Sequence, residues 1–206
     1  MLVIGVSGGS GAGKTSFVKK ITEKISDIDI ENIPLDNYYR DHSHIPAEDR
    51  KKINFDHPDA IDFELLLEHL KLLKENKTIE MPQYSYITCK RSDETIKVFP
   101  KSVIIIEGIL TFANFEVNEL LDLKIFIDSE ADVRLSRMLK RDIQERDRDF
   151  EEVLWRYEEI VKPMHNKYIE PSRKYADFII PNEVSDEIST NFVVSMIKNR
   201  LNKPKN

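Results

Sequence analysis

Residues 8–15 read GGSGAGKT and constrain the fold of this chain more than any other segment. They match G-x-x-x-x-G-K-[ST], a loop whose backbone N–H groups surround phosphate oxygens, whose lysine reaches the β- and γ-phosphates and whose hydroxyl binds Mg²⁺. The apolar run Leu2–Val6 precedes the loop, and apolar residues at helical spacing follow it. A helix N-terminus stabilises anions, so the segment predicts a nucleoside triphosphate site rather than a glycine turn without a ligand. The residues expected at the phosphates of ATP are Gly8, Gly9, Ser10, Gly11, Ala12, Gly13, Lys14, Thr15 and Ser16.

The length and charge of the chain narrow its class. The 206 residues are expected to form one domain, 1–206, and the net charge of −6 argues against a nucleic-acid binder, which usually carries a basic surface. Cys89 is the only cysteine, which excludes an intramolecular disulfide and suits a reducing compartment. The longest apolar run, 103–106, is too short to cross a bilayer, and the chain begins with the first strand rather than a signal peptide. A cytoplasmic location without membrane partners is therefore expected.

Strand and helix patterns alternate along most of the chain. Runs rich in β-branched residues, typical of a parallel sheet, are Leu2–Val6, Ile30–Leu35, Val103–Ile106, Leu123–Ile127 and Asp177–Ile180. Helical patterns are found at Lys14–Ser26, Ile61–Lys74, Ala131–Gln144, Glu151–Tyr168 and Asp186–Leu201. This order predicts an α/β fold, a doubly wound five-stranded parallel sheet of the P-loop NTPase type.

The segment 78–99 breaks the alternation. Thr78–Met81, Tyr84–Thr88 and Thr95–Phe99 resemble short strands, joined at Pro82-Gln83 and at a polar turn near Arg91. We expect a small β-hairpin flap that stands outside the main sheet.

Three carboxylates follow predicted strands, where ligands bind in open α/β sheets. Asp36, Glu107 and Asp128 end the second, third and fourth strands. A kinase needs one carboxylate near Mg²⁺ and another that accepts the proton of the attacking hydroxyl, and Glu107 and Asp36 are the natural pair. Asp128 stands before Ser129 and a helix, a pattern that favours an N-cap arrangement.

An arginine-rich stretch, about 134–156, follows the fourth strand. Its helix and exit carry Arg134, Arg137, Arg141, Arg146 and Arg148 among equally numerous acidic residues. One interpretation is a solvated, salt-bridged helix. The other is a helical lid that brings guanidinium groups to the transferring phosphoryl group.

A set of short motifs occurs in order from Ile4 to about Pro181. They are GVSGGS at 5–10 with Lys14-Thr15, DNYYR at 36–40, NFDHPDA at 54–60, MPQYSY at 81–86, EGIL at 107–110, KRD at 140–142 and EPSRKYAD at 170–177. Together they resemble the uridine/cytidine kinases, within the wider phosphoribulokinase and uridine kinase family.

The resemblance implies roles for individual residues. Asp36 would be the general base for the 5′-hydroxyl of a nucleoside, Lys14 would bind phosphate, and Thr15 with Glu107 would hold Mg²⁺. The lid would use Arg141, Arg146 and Arg148, the last also near the nucleoside. The nucleoside would be bound by Phe55, Asp56, Tyr84 and Tyr86; the alternative is that the three aromatic residues are simply core residues. A homo-oligomer, possibly a tetramer, is also implied.

Three residues depart from the family pattern in the acceptor pocket. Where the family usually has a histidine, an arginine and a glutamine, this chain has Cys89, Met138 and Arg156, respectively. A thiol is a weak hydrogen-bonding group and a thioether weaker still, so base preference is open. Arg156 could restore the guanidinium missing at Met138, bind an anionic acceptor, or be a surface residue without a ligand.

The resemblance implies ATP-dependent phosphorylation of the 5′-hydroxyl of uridine or cytidine, with Mg²⁺. The alternative in the same superfamily is another acceptor, a sugar phosphate or a non-standard nucleoside. A GTPase switch would need Asn-Lys-x-Asp, but the Asn-Lys pairs at 76–77 and 166–167 lack that aspartate. A nucleotide-binding protein without catalysis is disfavoured because Lys14, Thr15, Asp36 and Glu107 are all present.

Overall fold

The computed structural model describes residues 1–25, 27–50, 52–182 and 186–202. Its strands are β1 (Leu2–Ser7), β2 (Ile30–Pro34), β3 (Ile79–Ser85), β4 (Lys90–Val98), β5 (Val103–Glu107), β6 (Leu123–Asp128) and β7 (Phe178–Pro181). Its helices are α1 (Lys14–Lys24), α2 (Ala47–Arg50), α3 (Phe63–Lys74), α4 (Phe115–Leu120), α5 (Ala131–Glu145), α6 (Phe150–Arg156), α7 (Lys162–Met164), α8 (Glu170–Ser172) and α9 (Asp186–Asn202). Ser26, the predicted end of the first helix, lies outside the described residues.

The predicted five-stranded parallel sheet is confirmed. Its strand order is β2-β5-β1-β6-β7, and every pairing within it is parallel. The phosphate loop follows the central strand, and β5 and β6 flank that strand on either side. The carboxyl ends of these strands therefore open onto one edge of the sheet, where the predicted site residues meet.

The sheet separates two hydrophobic cores, because successive side chains of a strand point to opposite faces. Ile4 of β1 belongs to a buried cluster with Phe17 of α1 and Val193 of α9. Val3, one residue earlier, belongs to a second cluster with Leu66 of α3 and Val117 of α4. Helices thus cover both faces, which is why the strands carry apolar residues without polar alternation.

The flap forms outside the main sheet, but its strands differ from those predicted. Two long antiparallel strands, β3 and β4, replace the three short ones, and their register shifts between Pro82 and Tyr84. The polar residues near Arg91 lie within β4, not in a turn. The chain reverses between Ser85 and Lys90 instead, where Cys89 has a φ of 51°. A mostly exposed strand has little apolar patterning, and its polar residues therefore predict a turn.

The predicted cap at Asp128 is wrong. Asp128 still belongs to β6, where it pairs in register with Pro181. The helix begins later, after Glu130, whose side chain makes no capping hydrogen bond. The carboxylate of Asp128 instead forms a 2.9 Å ion pair with Arg173.

The predicted helix Glu151–Tyr168 is interrupted by two π-helical turns. They span Tyr157–Val161 and His165–Ile169, and each ends within two residues of a proline, Pro163 or Pro171. Proline lacks an N–H donor and clashes with the carbonyl four residues earlier, and a wider turn accommodates both effects. Among the described residues, no helix has the length and apolar character needed to cross a membrane.

Candidate active site

The loop between β1 and α1 has the backbone shape that a phosphate cradle requires. Gly11 and Gly13 have positive φ angles of 78° and 91°, and a Cβ at either would overlap neighbouring atoms. Lys14, the first residue of α1, donates from Nζ to the carbonyls of Gly8 and Gly9, at 3.1 Å each. Burial lowers the pKa of this lysine, while nearby carboxylates oppose the shift. The cation is therefore held inside the loop, where incoming phosphates would meet it.

Two arginines of the predicted lid support this loop from behind. Arg134 is buried, and its side chain packs against Gly9. Arg137 donates to the carbonyls of Gly11, at 3.5 Å, and Asn182, at 3.3 Å. This end of α5 is therefore neither a solvated salt-bridged surface nor positioned over the acceptor. It braces the backbone of the phosphate loop.

Thr15 and Glu107 form the pair expected to hold a metal ion. Thr15 Oγ1 donates a 2.9 Å hydrogen bond to Glu107 Oε1 at the carboxyl end of β5. Glu107 is only 7% exposed, and burial raises the pKa of its carboxyl while the charge of Lys14 lowers it. A hydroxyl and a carboxylate at this distance supply two oxygen ligands of the kind that Mg²⁺ prefers.

Asp36 lies in a 3₁₀ turn, Leu35–Tyr38, that directly follows β2. Its Oδ2 accepts a hydrogen bond from the hydroxyl of Tyr86 at the end of the hairpin. Burial lowers the pKa of Lys14, and the negative charge of Asp36 opposes that shift. Burial raises the pKa of Glu107, and the same charge adds to that rise. The structure thus brings the predicted base, phosphate-binding lysine and metal-binding carboxylate into one electrostatic site.

The hairpin is fastened to the turn that carries Asp36. Arg91 donates from Nε to the carbonyl of Tyr39, at 2.6 Å, and from Nη2 to that of Tyr38, at 3.2 Å. In the other direction, the backbone N–H of Tyr84 donates to Asn37 Oδ1, at 3.3 Å. We call these contacts the clasp. They place the inner side chains of the hairpin over the acceptor side of the site.

An open cavity lies between the hairpin, the turn after β2 and the helices α5 and α6, and its space, together with the solvent at its mouth, is about 490 Å³. Its aromatic wall has edge-to-face contacts, with ring centroids 5.8 Å apart for Phe55 and Tyr84 and 5.5 Å apart for Tyr84 and Tyr86. These rings are partly core residues, yet they also face the cavity. All six residues predicted to bind the acceptor line it: Phe55, Asp56, Tyr84, Tyr86, Arg148 and Arg156.

Asp56 is a buried carboxylate on the acceptor side of this cavity. Burial raises the pKa of its side chain to about 6, against the opposing charge of Arg156. Its Oδ2 is buried and accepts no hydrogen bond from the described residues. A buried acceptor without a partner is costly, so this oxygen is suited to receive hydroxyl groups of a ligand.

The three departures from the family pattern all line this same cavity. Met138 packs in a small apolar cluster with Val153 and Val161 between α5 and α6. Arg156 is only 5% exposed, so the interpretation of a surface residue is wrong. Cys89 is buried at the hairpin reversal, and its Sγ contacts the carbonyl of Tyr86 at 3.4 Å.

The remaining lid arginines face the site. Arg141 Nη2 lies 3.4 Å from Ser10 Oγ of the phosphate loop. The guanidinium of Arg146 lies over the Tyr86 ring, 3.9 Å from its centroid, and Arg148 lines the cavity. Positive charge therefore borders the gap between the phosphate loop and Asp36.

Sequence reasoning missed the residues that organise this arrangement. Arg91 is predicted to lie near a turn but belongs to β4, and nothing in the sequence marks Asn182, which donates to the carbonyl of Ala12. Asp142 enters the prediction only as part of the motif at 140–142, although it contacts three lid arginines. Of the three acidic residues within 137–148, only Asp142 follows Arg134 and Met138 at a spacing of four on the buried face of α5, and this spacing is the available signal.

The chain matches known proteins over nearly its whole length. A model of the family described as phosphoribulokinase / uridine kinase matches residues 3–189. A uridine kinase of Clostridium botulinum (strain Langeland) is 46% identical over 202 residues, which are 98% of each chain. A uridine kinase of Bacillus cereus (strain AH187) is 45% identical over 205 residues, which are 98% of this chain and 97% of the relative.

Similarity of fold extends further than similarity of sequence. The solved phosphoribulokinase from Rhodobacter spheroides superposes with a TM-score of 0.63 at 16% identity. The match covers 87% of this chain and 69% of that one. At this identity the likeness concerns the fold alone.

Proposed function

The chain belongs to the phosphoribulokinase and uridine kinase family, and we propose that it transfers the γ-phosphoryl group of ATP to the 5′-hydroxyl of uridine. It is a nucleoside kinase, a phosphotransferase with an alcohol acceptor. The observation that carries this proposal is the position of Asp36. This carboxylate accepts a hydrogen bond from Tyr86 of the cavity wall, and its charge acts on both Lys14 of the phosphate loop and Asp56 of the cavity. The aromatic wall of that cavity, with Asp56, suits a nucleoside.

In this proposal the protein acts through position and charge rather than covalent chemistry. The phosphate loop and Lys14 hold the triphosphate, and Asp36 accepts the proton of the attacking hydroxyl. Arg141 and Arg146 balance the charge that grows on the phosphoryl oxygens. Because transfer requires the two oxygens roughly in line, holding both substrates in one cleft supplies much of the rate acceleration.

Mg²⁺ fits the oxygen atoms that the site presents. Thr15 Oγ1 and Glu107 Oε1, 2.9 Å apart, would hold it beside the phosphate loop. When bound, the ion neutralises charge on the β- and γ-phosphates. The hydrogen bond between these two oxygen atoms keeps them next to each other.

The residues that line the acceptor cavity would bind a nucleoside through three kinds of contact. Phe55 and Tyr86 would pack on the base, Tyr84 would hydrogen-bond it, and Asp56 would accept from the ribose hydroxyls. Arg156 lies beside Asp56. It would hold the ribose end of the nucleoside, a role that the family usually gives to an arginine where this chain has Met138. The thiol of Cys89 is a weak hydrogen-bonding group, so it does not fix the choice of base. Cytidine is therefore the second acceptor to compare with uridine.

The test is phosphate transfer from ATP and GTP to a panel of acceptors. Uridine is expected to be phosphorylated at the 5′-hydroxyl, which 5′-deoxyuridine, lacking that group, controls directly. Ribose 5-phosphate and ribulose 5-phosphate are expected to give no product. Transfer to a sugar phosphate in preference to uridine would contradict the proposal.

Two further parts of the proposal concern the protein in the cell. We expect a homo-oligomer, possibly a tetramer, and a cytoplasmic location. Light scattering of the purified protein and fractionation of the native cells would test them.

A further inference from the structure

Asp142 is the most buried carboxylate in the described part of the lid. It lies one turn before the end of α5, and its side chain is 3% exposed. Oδ1 accepts from Arg141, at 2.7 Å, and lies 3.4 Å from Arg146 Nη1. Oδ2 accepts from Arg148 Nη1, at 2.6 Å. One carboxylate therefore gathers all three arginines expected to act in the lid.

The backbone of the same residue fixes the turn that follows the helix. The carbonyl of Asp142 accepts from the N–H groups of both Arg146 and Arg148, at 3.3 Å each. Asp147, between them, has a φ of 54°, which is uncommon for a residue other than glycine. The turn folds back so that two arginines beyond the helix reach the carboxylate within it.

The cluster contacts both halves of the site. Arg141 reaches Ser10 of the phosphate loop, at 3.4 Å. Arg146 lies over Tyr86, which is hydrogen-bonded to Asp36. The positions of these two guanidinium groups therefore affect the donor and the acceptor sides together.

Charge explains why a carboxylate is needed there. Three guanidinium groups around one point repel each other, and a single carboxylate offsets one of the three positive charges. Its two oxygens accept charge-assisted hydrogen bonds in fixed directions. Glu152 Oε1, 3.4 Å from Arg148 Nε, offsets a second charge, so the cluster remains positive by one charge, which an anion between the loop and Asp36 can use.

We propose that Asp142 is the positioning residue of the lid: its buried carboxylate fixes Arg141, Arg146 and Arg148 at the phosphoryl group in transfer. The inference rests on the proposed function, since it assigns these arginines to that group. Asp142 itself touches no reacting atom. It acts through the guanidinium groups that it orients.

The first test compares Asp142→Asn with Glu145→Gln, an exposed residue of the same helix that loses the same charge. With uridine and ATP, Asp142→Asn is expected to lower kcat by about 10- to 100-fold, because small displacements of charge-stabilising groups cost that much. The KM for ATP should change far less, since the phosphate loop is intact. The control variant should keep the wild-type kcat. Equal kcat values in the two variants would overturn the proposal.

A double-mutant cycle separates positioning from a merely structural role. Arg148→Gln is measured alone and together with Asp142→Asn. If the carboxylate acts through the arginines, the double variant loses less than the product of the two single losses. Losses that simply multiply would overturn the proposal.

A third variant covers the case in which Asp142→Asn does not fold. Asp142→Glu keeps the charge but displaces it by one methylene, and circular dichroism checks its folding. Its kcat is expected to fall by about tenfold with an unchanged KM for ATP. A wild-type kcat would overturn the proposal. If no variant and no wild-type preparation phosphorylates uridine, the proposed function fails instead.

Discussion

The hydroxyl of Tyr86 donates a hydrogen bond to the carboxylate of Asp36, 50 residues earlier in the chain. Burial and the nearby charge of Asp36 raise the pKa of this tyrosine, so the phenol stays protonated and remains a donor. The hairpin thus occupies an oxygen of the proposed base. A substrate hydroxyl that approaches Oδ2 competes with the phenol for that oxygen.

Tyr86→Phe removes the competing donor and keeps the ring. We expect the KM for uridine to fall by up to about tenfold, since a hydrogen bond to a charged acceptor contributes roughly 1.5–3 kcal/mol and part of it is lost when the substrate binds. Steady-state kinetics with varied uridine measure the effect. Tyr175→Phe, at an exposed tyrosine, is the control. A higher KM in Tyr86→Phe would mean that the phenol itself binds the substrate.

Asp36→Asn keeps the shape of the side chain but removes the proton acceptor. Turnover is expected to fall by at least about 100-fold, the typical contribution of general base catalysis, while ATP still binds. Coupled kinetics and calorimetry with a non-hydrolysable ATP analogue give the two readouts. Asp41→Asn, in the exposed loop that follows, should behave as wild type. Near-normal turnover in Asp36→Asn would remove this residue from the mechanism.

Glu107→Gln weakens the proposed Mg²⁺ site without changing its size. We expect the Mg²⁺ concentration for half-maximal activity to rise by about tenfold, because a neutral amide is a poorer ligand than a carboxylate. Titration with MgCl₂ at fixed ATP measures it, and removal of the ion with EDTA should abolish activity in the wild type. Glu116→Gln, exposed on α4, serves as the matched variant. Identical titration curves for the two variants would exclude Glu107 as a ligand.

Asp56 should impose a pH dependence on uridine binding. Burial raises the pKa of this carboxyl from 3.8 to about 6, so the charged acceptor for ribose hydroxyls is lost as the pH falls through about 6. We expect kcat/KM for uridine to decrease on the acid side of that value. Asp56→Asn should lower kcat/KM at neutral pH and lose this limb of the profile. An unchanged limb in the variant would assign it to another group.

The same carboxyl should affect stability with the opposite pH dependence. A raised pKa in the folded state contributes stability that is present below 3.8 and lost as the pH rises through about 6. The Tm of Asp56→Asn, relative to wild type, is therefore expected to increase between pH 4 and pH 7. Thermal melts at both pH values measure the difference.

Arg156 tests whether one guanidinium replaces another across the cavity. Arg156→Ala is expected to raise the KM for uridine by at least about tenfold and to leave the KM for ATP unchanged. Arg156→Gln alone should also bind uridine weakly. Combined with Met138→Arg it should recover, because that pair recreates the usual family pattern. An unchanged KM for uridine in Arg156→Ala would contradict the replacement of one guanidinium by the other.

The backbone shape of the phosphate loop could be predicted from the sequence because its constraints are local. The glycines at 11 and 13 are required by positive φ angles, and the strand before them is buried on both faces. Both requirements can be recognised in a short stretch of sequence, the glycines by their spacing and the strand by its apolar run. The pairing of Thr15 with Glu107 also followed, since strand ends meet at one edge of a parallel sheet.

Long-range polar contacts were not predictable in the same way. Arg91 and the carbonyls of Tyr38 and Tyr39 are more than 50 residues apart, and an arginine in an exposed strand carries no mark of its partner. The same holds for Asp142, because alternating charges on a helix are equally typical of a solvated surface. Their roles depend on where the chain folds back, which periodicity does not specify.

The clasp gives the hairpin and the turn at Asp36 a shared stability. In the described part of the chain the two strands of the hairpin pair with each other and with no strand of the main sheet, so the clasp and buried apolar side chains attach them to the domain. Met81 and Val98 of the hairpin lie in the same core cluster as Tyr38 of the turn. Opening of the hairpin would break the hydrogen bonds that hold the turn, and loosening of the turn would release the hairpin. The two segments should therefore unfold locally as one cooperative unit, whose amide hydrogens exchange together although they lie far apart in the chain.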